Sequence, residues 1–153
     1  MARAGAPVPD LEHWITEGRQ TVIDIADMLG VPPAVYTRDP LTLIPALQNY
    51  VSRLPFGQFE QSDWGTLHSD LMSYVSDFLI ETHDARWVVV DDSAMPRDYR
   101  YVIEVEGRDG EIRKIDPSDI VIAEFSNTPI EITKMLSSAE VTLRLTPRTS
   151  EDE

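Results

Sequence analysis

Apolar residues recur along this chain with a helical period first, an extended period next and a mixed one at the end. Leu11, Trp14, Ile15, Val22, Ile25 and Leu29 follow Asp10 at helical spacing, and Gly30 with Pro32 closes the segment. The spacing predicts a first helix. Val31 to Arg38 contains adjacent prolines, Pro32 and Pro33, which predict an extended connector on the surface. Asp39-Pro40 is a second helix start, ahead of Leu41, Ile44, Leu47, Val51 and Leu54, with Pro45 delaying the regular part and Pro55 and Gly57 stopping it.

The strongest periodicity lies between residues 62 and 82. Trp64, Leu67, Leu71, Tyr74, Val75, Phe78 and Leu79 form one stripe, while Asp63, Ser69, Asp70, Ser73, Asp77 and Glu81 are expected on a solvated opposite side. Ser62 or Asp63 is placed to cap this helix. After Asp84 the period becomes extended. Arg86 to Val90 reads as a strand, 91–98 as a loop, and Tyr99, Tyr101, Ile103 and Val105 alternate with Arg100, Val102, Glu104 and Glu106 in a half-buried strand. Gly107 to Gly110 is a turn and Glu111 to Ile115 the returning strand. Links this short demand an antiparallel meander.

Asp116-Pro117-Ser118-Asp119 starts a further helix, and Thr128-Pro129-Ile130-Glu131 a short one through Met135 and Leu136. Val141, Leu143 and Leu145 alternate with Thr142, Arg144 and Thr146, which predicts a closing strand. The expectation is an α+β fold: N-terminal helices on a small antiparallel sheet, with a three-strand meander, a helix and a closing strand. One domain over 10–146 is expected, with flexible tails at 1–9 and 147–153.

Composition narrows the chemistry. The chain of 153 residues has no cysteine, which removes disulfides, thiolate zinc sites and cysteine nucleophiles. Thirteen Lys and Arg stand against 27 Asp and Glu, a net charge of −14 that repels nucleic acid and anionic lipid. No apolar run approaches the roughly 20 residues of a membrane span, so a cytoplasmic protein is expected. Such a charge serves solubility, or steers the chain toward a basic partner.

No motif supplies a catalytic or cofactor assignment. A metal or acid–base site would draw on His83, Asp84, Asp91 and Asp92, with Glu104 or Glu106 from the neighbouring strand, yet Asp91 and Asp92 are adjacent in an extended chain, point to opposite faces and do not chelate one ion together without a bend. His13, His68 and His83 fall in different elements without metal-motif spacing, and no serine sits in a G-x-S-x-G elbow. Trp14, Trp64, Trp87, Tyr99 and Tyr101 are accounted for as core.

The remaining polar positions, Asp70, Asp77, Glu81, Asp91, Asp92, Arg100, Glu104 and Glu106, form a candidate partner-binding set. The element order is similar in architecture to that of small acidic bacterial secretion chaperones and some immunity proteins, with no shared motif, and fold does not fix function. Negative charge without a catalytic motif points to a non-catalytic role as an adaptor, chaperone or immunity-type inhibitor on a basic protein surface. Two other readings stand beside it. One is a small enzyme or a ligand or metal binder with a pocket between the long helix and the sheet, using His68 or the 83–92 region. The other is a homo-oligomer subunit whose uncovered sheet edge pairs across a two-fold axis.

Overall fold

A computed structural model describes residues 10–96 and 98–145. The fold is α+β: six α-helices and one three-stranded antiparallel sheet in the order β1-β2-β3. The two expected tails lie outside the described residues.

Helix α1 (Leu11–Met28) starts where Asp10 accepts a hydrogen bond from the His13 N–H at 3.1 Å. It ends on Gly30, whose φ of +89° allows Val31 N–H to donate to Ala26 at 2.8 Å. The expected extended connector is instead a helix, α2 (Pro33–Arg38), which carries the fully buried Tyr36. The prolines cause it: Pro33 occupies the first turn, where a missing N–H costs nothing and a fixed φ favours the helix. A 3-10 turn at Pro40–Leu43 then leads into α3 (Ile44–Ser52), in keeping with the delay that Pro45 imposes.

Helix α4 (Gln61–His83) is the axis of the molecule. Its start differs slightly from expectation: Glu60 is the cap residue, and Asp63 reaches back to accept from the Glu60 N–H at 2.9 Å. Residues 73–79 are buried without interruption, so this stretch is enclosed on all sides rather than half solvated. Ser76 fits this enclosure by donating to the Met72 carbonyl at 2.7 Å.

Asp84, at φ +58°, turns the chain out of α4 and into β1 (Arg86–Asp91). β1 pairs with β2 (Tyr99–Glu106) in the register Arg86 with Glu104, and β2 pairs with β3 (Ile112–Ile115) in the register Ile103 with Ile115. Trp87, Ile103 and Val105 enter the core from the inner face. Val102, expected on the outer face among charges, is on that face yet buried. Its neighbours there, Arg100 and Glu104, are held in ion pairs.

Helix α5 (Pro117–Phe125) is capped by Asp116, which accepts from the Ser118 N–H at 3.0 Å. The last element among the described residues is α6 (Ile132–Thr142), and residues 141–145, expected in a closing strand, end this helix instead. Their alternation belongs to a helix end. Arg144 at φ +58° lets Leu145 N–H reach Glu140 at 2.8 Å and Arg144 N–H reach Val141 at 3.1 Å, which folds both Leu143 and Leu145 into the core.

Because α4 is surrounded, truncation at its centre has no route to relax. Leu71→Ala is expected to lower unfolding free energy by about 2–5 kcal/mol in urea titration, the range for a buried leucine deletion, since Leu71 is fully buried.

Candidate functional site

The partner-binding set predicted from sequence divides into two groups. Arg100, Glu104 and Glu106 lie on the outer sheet face, with Asp91 and Asp92 at the exit of β1, whereas Asp70, Asp77 and Glu81 lie on α4.

On the sheet the charges are internally matched. Glu104 takes Arg86 at 2.6 Å and Lys114 at 3.3 Å. These two cations hold the Glu104 carboxyl below its usual range. Arg100 lies 3.2 Å from Asp92 and 3.1 Å from Asp116. The two sets, one with two cations and one anion and the other with one cation and two anions, offset each other. Asp91 and Glu106 stay exposed at opposite ends of the sheet.

The α4 group is different. Arg19, from α1, donates to Asp77 at 2.7 Å and approaches Glu81 at 3.3 Å. The second Asp77 oxygen accepts from the Tyr36 hydroxyl at 2.5 Å. Asp77, expected on a solvated side, is therefore buried and fully engaged. Burial, reinforced by the Asp77 charge, raises the Tyr36 hydroxyl far above the ordinary tyrosine value, so this group is a permanent donor. Asp70, two turns earlier, faces no cation within ion-pair distance among the described residues, and partial burial raises its carboxyl above the ordinary value.

Around Arg19 the two helices stand apart over a cleft of about 130 Å³. Gly18, Ser73 and Ser76 create the gap, Ile15, Ile80 and Trp87 supply apolar walls, and Asp77 and Glu81 contribute the charged lining. Arg19 balances one of these two carboxylates, leaving the cleft with one excess negative charge. Chemically the cleft suits an alkyl or aromatic stem carrying a cation: the stem lies on the isoleucines and Trp87, and the cation reaches Glu81.

Sequence reasoning missed Arg19, Tyr36 and the three small residues. The signal was present as a lone arginine in an otherwise acidic helix, and as serines interrupting an α4 stripe too broad for a half-exposed helix. Two of the three histidines are structural ties. His68 Nε2 lies 2.7 Å from Ser118 Oγ, joining α4 to α5, and His83 Nε2 lies 2.7 Å from Glu140, joining α4 to α6. Among the described residues no group of three or more His, Cys, Asp or Glu is arranged to hold a metal ion, and no helix is long and apolar enough to cross a membrane.

Comparison with protein-family models, curated proteins and solved structures returns no match.

Two outcomes test the site electrostatics. Asp77→Ala leaves Arg19 and Tyr36 without their shared acceptor and is expected to cost about 2–4 kcal/mol, below the fully buried limit because Arg19 is partly solvated; Tyr36→Phe costs about 1 kcal/mol, both read by urea unfolding. For Asp70 the sign is opposite to that of a paired acid. Its folded-state pKa is raised, so ionisation opposes folding, and stability is gained as pH falls through that value. Asp70→Asn is expected to raise the melting temperature at neutral pH, with the gain shrinking on acidification.

Proposed function

We propose that the protein is an acidic docking module that receives a basic surface of a protein partner at the edge between α1 and α4. The observation that carries this reading is the uneven distribution of matched charge. On the outer sheet face Arg86, Arg100 and Lys114 offset Glu104, Asp92 and Asp116, while on α4 Arg19 engages Asp77 and Glu81 and Asp70 faces no cation within ion-pair distance among the described residues. A chain with net charge −14 draws basic partners from a distance, and the partly exposed Glu81 lies beside apolar walls from Ile15 and Ile80. A lysine or arginine side chain inserted there would lay its stem on these walls and its charge against Glu81.

The volume of the cleft favours a second reading, a site for a small organic cation. At about 130 Å³ it is close to the roughly 150 Å³ of a cavity that takes up benzene, the size range of a small organic cation.

Co-purification from native lysate at low and high salt, followed by mass spectrometry, tests the docking reading. A basic partner is expected at low ionic strength, lost as the Debye length shrinks from about 30 Å at 0.01 M to about 3 Å at 1 M salt, and lost at low salt with Glu81→Lys. Capture that is indifferent to salt and to Glu81→Lys overturns it. Saturable binding of a small amine to the isolated protein, abolished by Glu81→Lys, selects the second reading.

A further inference from the structure

β1 is an edge strand, and the hydrogen-bond parity of the sheet fixes which of its backbone groups face outward. Asp92 N–H donates to the Asp98 carbonyl at 2.9 Å, and these two residues continue the register in which Arg86 opposes Glu104 and Val90 opposes Arg100. In an antiparallel ladder, hydrogen-bonded and non-bonded pairs alternate. Arg86, Val88 and Val90 therefore bond to β2, and the N–H and C=O groups of Trp87, Val89 and Asp91 point away from it. None of these outward groups has a hydrogen-bond partner among the described residues.

Edges of this kind are ordinarily blunted by lysine, proline, a bulge or brevity. The opposite edge follows that rule, because β3 has four residues and carries Lys114. β1 has six residues, Arg-Trp-Val-Val-Val-Asp, and none of those devices except its terminal charges.

We infer that β1 pairs antiparallel with β1 of a second copy, across a two-fold axis perpendicular to the sheet at Val89. Such an axis keeps the faces in register only if each residue opposes one of the same parity, and it bonds the outward groups only if the centre is an odd-numbered residue. Centring on Val89 meets both conditions and uses all the outward groups: Val89 opposes Val89 of the second copy, and Trp87 opposes Asp91. On the outer face the same register sets Val88 against Val90 and Arg86 against Asp92. Opposite charges thus meet at both ends of the shared ladder, and the two sheets become one. A register centred on Trp87 or on Asp91 is excluded by length, since both residues stand near the ends of the strand.

This surface meets the α1–α4 cleft at Trp87, whose side chain lines the cleft and whose backbone belongs to the edge, and the two respond to salt with opposite signs. Two copies of net charge −14 repel at long range, so salt strengthens the dimer, whereas it weakens attachment of a basic partner.

Because the chain has no cysteine, single replacements report the register cleanly. Val89 is expected about 5.5 Å, Cα to Cα, from its counterpart in a hydrogen-bonded pair, inside the roughly 4.4–6.8 Å that a disulfide spans. Under mild oxidation Val89→Cys is expected to give a covalent dimer, and Val88→Cys and Val90→Cys markedly less. Val89→Pro removes an outward N–H without touching the bonds to β2 and is expected to abolish the dimer in sedimentation analysis while the circular dichroism spectrum is retained. A chain that remains monomeric at every attainable concentration overturns the inference. So does a dimer in which the three cysteine variants cross-link equally or not at all.

Discussion

Everything in this fold is arranged around the enclosure of one helix. Residues 73–79 of α4 are buried in succession, which leaves that stretch without the polar face that most helices keep. The carboxylate of Asp77 lies within this stretch, and a buried charge persists only when it is paired and its lone pairs are used. Arg19 from α1 and Tyr36 from α2 provide the partners, so the positions of both helices are tied to a single side chain. The small residues Gly18, Ser73 and Ser76 follow from the same constraint, since they admit the guanidinium between the helices and leave the cleft beside it.

Elements with one dominant period were legible in the sequence. α1, α4 and β2 have apolar repeats long enough to specify type and approximate limits, Asp10 and Gly30 mark the ends of α1, and Asp116 marks the start of α5, through the backbone groups they satisfy or the φ they permit. Two segments were misread because one residue pattern serves two structures. Pro32-Pro33 interrupts a helix from within but opens one from its first turn. Leu143 and Leu145 alternate as a strand would, yet Leu136, Ala139 and Leu143 also share a helical face, and the left-handed residue Arg144 brings both leucines inward. The site was half legible. Asp70, Asp77 and Glu81 were identifiable as a group on α4, but the pairing of Asp77 with Arg19 spans 58 residues, and no local spacing encodes such a contact.

The distribution of charge separates two surfaces that composition alone merges. A chain this acidic reads as uniformly negative, but its few cations are not spread evenly. Arg86, Arg100 and Lys114 gather on the outer sheet face and leave Val102 covered between matched pairs. The α4 side receives Arg19 alone, where its charge is consumed by Asp77 and Glu81. The sheet therefore offers an apolar ladder edged by balanced charge, and the helix pair offers unbalanced charge edged by apolar walls.

The ties that hold α4 also bear on how the chain is made. Its partners come from both directions along the sequence: Arg19 precedes it, while Ser118 and Glu140 lie 50 and 57 residues after His68 and His83, to which they bond. A chain leaving the ribosome presents this helix with α1 and α2 available and with α5 and α6 still unsynthesised. Its sides facing α5 and α6 must then wait, and at about 5–20 residues per second the wait lasts several seconds. The enclosure that makes α4 the axis of the finished molecule thus leaves apolar surface uncovered in the unfinished one, when the contact that Asp77 makes with Arg19 of α1 is already within reach and those with α5 and α6 are not.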